Sequence, residues 1–185
     1  MYVAVVDGAK MDDRFTHITT FEVTVPDSYD HATRLDTFAV AHKSEFCYGY
    51  NSNITDANYS KATVQLTPGR KFQVKVFGIK SGEVVTSDDC LVKLCSEKAV
   101  LVGAQGASLA YEQGKDKLPK GKWSVSFDEK DALWYDGVYH WVPFVDRRSG
   151  GRFSFGLGSF EGGWNGDDCL LCFCDLPAGE AHLGA

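Results

Sequence analysis

Six cysteines are the residues of this chain most suited to chemistry, and three of them lie close together near its end. They are Cys47, Cys90, Cys95, Cys169, Cys172 and Cys174. Cys169 and Cys172 have the spacing of a zinc-ligand pair, but no second pair with that spacing accompanies them. The apolar residues between them favour a buried strand, on which Cys172 and Cys174 share one face. We therefore expect buried free thiols rather than a zinc site or a disulfide framework.

No other group of residues forms a recognisable catalytic motif. His42 lies on the apolar stripe of a predicted helix, and we expect a core histidine with satisfied hydrogen bonds. Residues 103–106 resemble an anion-binding loop before a helix but lack its glycine spacing and lysine, so a packing role is expected. Residues 128–131 carry three carboxylates around a lysine and are expected to form a solvated turn. The sequence predicts no catalytic residue, no bound metal and no cofactor.

Composition limits the classes of function that the chain can have. It has 185 residues, of which 44% are hydrophobic and 24% charged, as in one globular domain with a core. The net charge of -6 argues against a nucleic-acid partner, which requires a basic surface. No apolar run approaches the roughly 20 residues of a membrane span, and no secretory signal is evident. We expect a cytoplasmic or virion-associated protein whose oligomeric state is open.

The order of predicted elements indicates an α+β fold. Strands are expected at residues 2–6, 16–25, 71–79, 123–127, 139–145, 152–157 and 169–176. The first of three helices starts at Asp27 or Ser28 and runs to Phe46. The second begins at Thr86 or Ser87, has acidic residues in its first turn, and ends before Gly103. The third covers residues 105–117.

The last third of the chain has an unusual composition. Every lysine lies at or before Lys130, and residues 131–185 also lack Gln, Thr, Ile and Met. Residues 146–168 consist almost entirely of Asp, Arg, Ser, Gly, Asn and aromatic residues. A glycine-rich series of strands explains the turn residues but not the absence of lysine from exposed positions. Small polar residues, arginine and aromatic residues together are typical of recognition surfaces.

Strand alternation predicts which of these side chains face solvent. If Phe153, Phe155 and Leu157 face the core, Arg152, Ser154 and Gly156 face outward. The side taken by Phe144 is open, because either face of its strand could be buried. The candidate ligand-binding residues are Phe144, Asp146, Arg147, Arg148, Arg152, Ser154, Gly156, Ser159, Asn165, Asp167 and Asp168.

The segment from Gly163 to Asp175 resembles the closing segment of a C-type-lectin fold, in which a Trp-Asn turn precedes a cysteine and a final aromatic strand. Two helices followed by a β-rich final third fit the same order. The lysine-free tract is similar to the variable region of proteins diversified by retroelements, which display mutated residues on this fold. In that family, mutation at adenines of Asn codons never yields Lys, Gln, Glu, Met or Trp. Trp141, Glu161 and Trp164 depart from this restriction and would be fixed scaffold positions.

This resemblance implies a C-type-lectin-like domain at residues 70–185, with a variable region at about 135–168. Residues 1–69 would form an N-terminal α/β extension, and whether it is separate from the main domain or integrated with it is left open. The implied function is non-enzymatic recognition of a protein or cell-surface ligand. The Glu-Pro-Asn or Gln-Pro-Asp triplet of calcium-dependent lectins is absent, which argues against calcium-dependent sugar binding. Two alternatives are a formylglycine-generating-type oxidoreductase, in which paired cysteines bind copper, and a structural or assembly protein.

Overall fold

A computed structural model of the protein describes residues 13–177 and has an α+β architecture. The strands are β1 (Phe15–Thr24), β2 (Lys71–Ile79), β3 (Val84–Thr86), β4 (Trp123–Val125), β5 (Trp134–Tyr135), β6 (His140–Arg147), β7 (Phe153–Ser159), β8 (Gly163–Asn165) and β9 (Asp168–Asp175). The helices are α1 (Arg34–His42), α2 (Ser87–Ser96) and α3 (Gly103–Gly114), with short 3-10 turns at Lys43–Glu45, Lys115–Lys117 and Lys130–Ala132. The strand expected at residues 2–6 lies outside the described residues.

A seven-stranded sheet forms the centre of the molecule. Its strand order is β1-β2-β9-β4-β6-β5, and β7 also pairs with β6. The pairing is antiparallel except between β4 and β9, which run parallel. β3 and β8 form a separate two-stranded sheet. β1 comes from the stretch expected as an N-terminal extension, yet it pairs with β2 along its length and is therefore part of the main sheet.

Helices cover both faces of the sheet. On one face, Phe173 of β9 lies against Phe72 and against Gly106 of α3, while Tyr111 of α3 contacts the ring of Phe153 edge-on. On the other face, the Lys93 ammonium of α2 lies 4.3 Å from the centre of the Phe77 ring. The sheet is therefore a central layer, with α1 and α3 on one side and α2 on the other.

The predicted start of the second helix is confirmed, whereas its predicted end is wrong. The Thr86 hydroxyl accepts the Asp89 N–H, and the Asp89 carboxylate accepts the Thr86 N–H, which forms a capping box. The helix ends at Ser96 because Lys98 adopts a left-handed conformation with φ of +58°. The Ala99 N–H then donates to the Leu94 carbonyl, which closes a Schellman-type end.

Gly103 begins the third helix instead of ending the second. Residues 103–106 consequently lie inside α3 and form no anion-binding loop. Gly106 has a packing role, since a Cβ there would lie 2.2 Å from Val102 and 3.2 Å from Phe173. The prediction that this segment serves packing is confirmed. Lys115–Lys117 continues the helix as a 3-10 turn, so the third element still ends near its expected position.

The first helix is shorter than predicted because distant residues cap it. Residues 27–33 form turns, in which the Asp30 carboxylate accepts the Ala32 N–H and the Thr33 hydroxyl. The Asp56 carboxylate accepts the N–H groups of Leu35 and Asp36 at 2.8 and 3.0 Å. The helix begins where this cap from another loop is available.

His42 has two carboxylate partners, so its predicted hydrogen bonds are confirmed, although its side chain is half-buried and does not lie in the core. Its Nδ1 lies 2.9 Å from Glu45 and its Nε2 lies 3.0 Å from Glu112. Glu112 of α3 also binds the Arg34 guanidinium through both carboxylate oxygens. This network links α1 to α3.

Asp128 does not lie in a solvated turn, so this prediction is wrong for that residue. It is buried against Gly103 at the start of α3 and accepts the N–H groups of Thr63 and Glu129. Glu129, Lys130 and Asp131 are exposed, as expected.

Among the described residues, the longest helix is α3 with 12 residues. None of the described helices has the length and apolar character needed to cross a membrane.

Candidate functional site

A cleft of about 980 Å³ opens on the sheet face that carries α2. We call it the Trp123 cleft, after the tryptophan in its floor. Its walls come from β4, β6, β7, β8, the start of β9 and the segments beside these strands. The lining residues are Lys120, Gly121, Trp123, Asp146, Arg148, Ser149, Gly158, Ser159, Gly162, Gly163, Trp164, Asn165, Asp167 and Asp168.

The pairing of four strands builds the floor of the cleft. Ser154 pairs with Asp146, Asp146 pairs with Trp123, and Trp123 pairs with Asp168. Directly paired residues on neighbouring strands project from the same face of a sheet. Trp123 therefore lies between two carboxylates, one on each neighbouring strand.

An aromatic stack holds Trp123 in place. Its ring lies parallel to that of Phe144, with centroids 4.0 Å apart and an interplanar angle of 5°. Phe144 in turn rests on Gly156, where a Cβ would lie 2.4 Å from the Phe144 ring. Trp123 retains 39% of its surface exposed. The cleft thus presents a fixed indole surface to solvent.

Asp168 is a buried carboxylate at the edge of this floor. It is 5% exposed, and its Oδ2 accepts the Asn165 N–H at 2.8 Å. Its Oδ1 has no hydrogen-bond partner among the described residues, although it is not sealed from solvent. Burial raises the pKa of Asp168, while the nearby Lys122 ammonium partly opposes that effect. Lys122 itself donates to the Gly166 carbonyl.

Asp146 lies on the other side of Trp123. It is 4% exposed, and its Oδ2 accepts a hydrogen bond of 2.8 Å from Nε of Arg148. Its second oxygen also lacks a hydrogen-bond partner within the described part of the chain. The guanidinium groups of Arg148 and Arg152 lie 4.8 and 4.5 Å from the centre of the Tyr48 ring. These two arginines form a cationic rim beside the cleft.

The cleft brings together a majority of the residues predicted for ligand binding. Those that line it are Asp146, Arg148, Ser159, Asn165, Asp167 and Asp168. Ser154 and Gly156 are half-buried on the same sheet face, and Arg152 lies beside Arg148 at the rim. Phe144 belongs to this face too, but Trp123 covers it. The expectation of an exposed side chain is wrong for Asp146 and Asp168, which are buried. Phe144, whose side the sequence leaves open, is buried as well.

Arg147 points away from the cleft because neighbouring strand residues alternate between faces. Its guanidinium donates to the carbonyls of Asp116 and Leu118 at 2.7 and 2.8 Å. It therefore fastens β6 to the segment after α3. A role in ligand contact is wrong for this residue.

Sequence reasoning misses Trp123, Lys120 and Trp164 as cleft residues. The sequence places Trp123 at the start of a strand, where alternation puts it on the same face as Val125 and Phe127 and so predicts burial, whereas 39% of its surface is exposed. Its position between Asp146 and Asp168 depends on pairing with β6 and β9, which no local pattern encodes.

Three residues of the lysine-free tract depart from the codon restriction, and each of them has contacts that support the fold. Trp164 packs over Gly158 and donates from Nε1 to the Ser87 hydroxyl at 2.8 Å. The Glu161 carboxylate accepts the His140 N–H and contacts its ring nitrogen. Trp141 donates to Asp136 at 2.9 Å.

A second cavity of about 780 Å³ borders the β5–β6 hairpin, inside the predicted variable region. The tip of the β5–β6 hairpin exposes the side chains of Tyr135, Val138 and Tyr139. The Asp136 carboxylate accepts the N–H groups of Val138 and Tyr139 and thereby shapes the turn.

The cysteines are free thiols and none of them lines the cleft, although the Cys169 thiol donates to the Trp123 carbonyl at 3.4 Å. Cys90, Cys169 and Cys172 are buried, as predicted, and Cys174 is half-buried. The expectation of burial is wrong for Cys47 and Cys95, which are exposed. The sulfurs of Cys172 and Cys174 are 3.7 Å apart on one face of β9. Burial raises the pKa of Cys169 to about 12, because the thiolate would be desolvated. No cluster of three or more potential metal ligands occurs within residues 13–177.

Comparison of the chain with protein-family models, curated proteins and solved structures finds no match.

Proposed function

We propose that the protein is a non-enzymatic binding protein that recognises a protein or cell-surface ligand through the Trp123 cleft and its rim. In this proposal the scaffold is a C-type-lectin-like variant, and a retroelement diversifies the recognition residues. The observation that carries the proposal is convergence: six of the residues that composition and strand alternation select, from β6 to β9 and the intervening turns, border one cleft. Positions distributed over the whole surface would not be expected to line a single cleft.

The division between frame and surface supports the proposal. The frame beneath the cleft consists of buried apolar residues on β2, β7 and β9, including Val76, Phe155 and Phe173. Arg152, Asn165 and Asp167 are exposed on turns or strand ends. Substitutions at exposed positions usually change stability by less than about 0.5 kcal/mol. Such positions can vary while the frame remains folded.

The contacts of Trp141, Glu161 and Trp164 also support the proposal. These residues cannot arise from the proposed codon mutations, and each has a hydrogen bond that holds a strand, a hairpin or a helix end. Fixed positions inside a variable tract would be expected to have such roles.

The oxidoreductase alternative has no comparable support. The described cysteines do not line the Trp123 cleft, and the neighbouring thiols of Cys172 and Cys174 face α2, where the Cys174 thiol donates to the Glu97 carbonyl. Burial also disfavours the thiolate form of Cys172.

Two libraries would test the proposed display role. The first randomises Arg152, Ser154, Ser159, Asn165 and Asp167. The matched control randomises the same number of frame positions: Phe72, Val74, Val76, Phe155 and Phe173. We expect most members of the first library to be folded, as shown by cooperative unfolding and resistance to proteolysis. Few members of the second library should pass these two tests. Selection should then yield binders of unrelated protein targets from the first library.

Equal loss of folding in both libraries would contradict the proposal. A genomic test is independent of stability: a reverse-transcriptase gene and an adenine-bearing near-copy of the 3′ end should lie beside this gene. Sibling copies should differ at the cleft and rim. Differences concentrated on the opposite sheet face would exclude diversification of this surface.

A further inference from the structure

We propose that the Trp123 cleft binds the cationic side chain of a lysine or arginine on a protein target, seated on Trp123 beside Asp168. This inference deepens the proposed function, since it names the chemistry that the cleft recognises. It rests on three observations: an incompletely bonded buried carboxylate, a fixed indole surface, and a second carboxylate across that surface.

The first observation is the bonding state of Asp168. The side chain is almost completely buried, yet only one of its oxygens accepts a hydrogen bond from a described residue. Buried carboxylates normally have several donors or a paired cation, because desolvation otherwise disfavours the charge. Asp168 is one of the residues that line the cleft, and its Oδ1 has no hydrogen-bond partner among the described residues. An ammonium or guanidinium there would supply the missing donor and would add positive charge to that of the nearby Lys122 ammonium, which itself donates to the Gly166 carbonyl.

The second observation is the indole of Trp123. Phe144 covers one of its faces, and Gly156 supports Phe144 from below. The exposed part therefore has a fixed orientation before any ligand arrives. A cation within about 6 Å of a tryptophan ring centre is attracted by the ring quadrupole, and tryptophan is the strongest such partner.

The third observation is the charge around the indole. Asp146 and Asp168 are its neighbours on the two adjoining strands, and Asp167 also lines the cleft. The cationic lining residues are Lys120 and Arg148. Arg148 is already bound to Asp146 and lies over Tyr48, which leaves the Asp168 side for a ligand. The combination of an aromatic surface and carboxylates favours a cation over an anionic ligand.

Titration with a single side chain tests the inference directly. The probe is Nα-acetyl-lysine methylamide, and the neutral controls are its Nε-acetylated form and the norleucine analogue. Binding is followed through the backbone amide signals of Asn165 and Asp168 in NMR spectra. We expect saturable binding of the lysine or the corresponding arginine probe with a millimolar Kd, and no saturation with either neutral control.

Three variants connect this binding to the proposed contacts. Asp168→Asn retains an oxygen for the Asn165 N–H but removes the charge, and should weaken binding about tenfold or more. Trp123→Leu should abolish saturable binding. Asp131→Asn makes the same charge change on an exposed turn outside the cleft and should leave the Kd unchanged. Thermal unfolding of each variant verifies that it is folded.

Equal affinity for the norleucine analogue, or an unchanged Kd in Asp168→Asn, would overturn the inference. Binding of N-acetylglucosamine at the same signals, without binding of the lysine probe, would also overturn it. The display role is tested separately by the two libraries. If the lysine probe binds but the first library fails to fold, the proposed cation site stands and the proposed diversification is refuted.

Discussion

At the scale of single residues, the fold shifts the pKa values of its carboxylates in opposite directions. Asp128 and Asp168 are buried, and burial raises the pKa of both. Glu45 remains partly exposed, and hydrogen bonds with Tyr111 and His42 lower its pKa to about 2. The first pair therefore opposes stability at neutral pH, whereas Glu45 contributes to it.

We predict that Asp168→Asn raises the free energy of unfolding at pH 7, because burial disfavours the charged carboxylate of Asp168 and raises its pKa. A raised pKa in the folded state means that the wild type gains stability as pH falls from the raised pKa towards the ordinary value. The difference in free energy of unfolding between the variant and the wild type should therefore become smaller at acidic pH. Urea denaturation at pH 7 and pH 4 measures it. A destabilised variant at pH 7 would contradict the prediction.

Tyr111→Phe should raise the pKa of Glu45 towards its ordinary value of 4.5, because the 2.7 Å hydrogen bond from the phenol favours the charged carboxylate. The depressed pKa contributes stability above about pH 4.5 that is lost as pH falls towards about 2. NMR titration of the Glu45 carboxyl carbon measures the shift. His17→Phe, outside this network, is the control and should leave the titration unchanged.

At the scale of elements, polar contacts join segments that are distant in the chain. Asp56 caps α1 from a loop, Glu112 ties α3 to α1, and Arg147 fastens β6 to the segment after α3. Close packing also fixes how near the elements approach one another, most clearly where Gly114 of α3 lies against the Phe21 ring of β1.

Glu112→Gln should destabilise the protein by about 2–3 kcal/mol, since Arg34 is buried and would lose its charged partner. Guanidinium denaturation measures the change. Glu83→Gln, on an exposed turn, removes the same charge and should have almost no effect. Equal effects of the two substitutions would show that the loss of charge alone, and not the link between helices, matters.

Gly114→Ala should destabilise the protein by about 1–3 kcal/mol, although alanine favours helix more than glycine does. The new Cβ would lie 2.2 Å from the Phe21 ring of β1. In the Phe21→Leu background the same substitution should cost less, because the ring is gone. Thermal unfolding of the four proteins of this cycle gives the coupling. A cost that is independent of residue 21 would refute steric contact as the cause.

At the scale of the whole molecule, a buried frame supports a surface formed by turns and strand ends. Phe155 packs against Phe38 and Tyr50 in the layer opposite the cleft, while Arg152 and Asp167 face solvent. The frame and the surface should therefore respond very differently to substitution.

We expect Arg152→Ser and Asp167→Ser each to change the free energy of unfolding by less than about 0.5 kcal/mol. Phe155→Ala should cost about 3–5 kcal/mol because it leaves a cavity among packed rings. Chemical denaturation compares the three. A large loss from either surface substitution would mean that the rim is part of the frame.

Local patterns in the sequence are sufficient for much of the fold. Alternating residues of β2, the capping box of α2 and the inward side of Phe153 and Phe155 can be predicted because each depends on neighbours a few positions away. Lys98 escapes prediction because a non-glycine residue at positive φ is uncommon.

The candidate site is only partly predictable, because composition selects residues but not their faces or neighbours. Composition correctly selects Arg148, Asn165 and Asp167 as cleft residues, whereas it assigns Arg147 to the wrong face.

The sequence by itself determined the α+β class, most strands and the unusual composition of residues 146–168, since periodicity and residue type are local properties. Only the tertiary structure decided that Trp123 lies between Asp146 and Asp168, because strands far apart in the chain pair there. It also decided that both carboxylates are buried with one oxygen free, since burial depends on what packs above a residue.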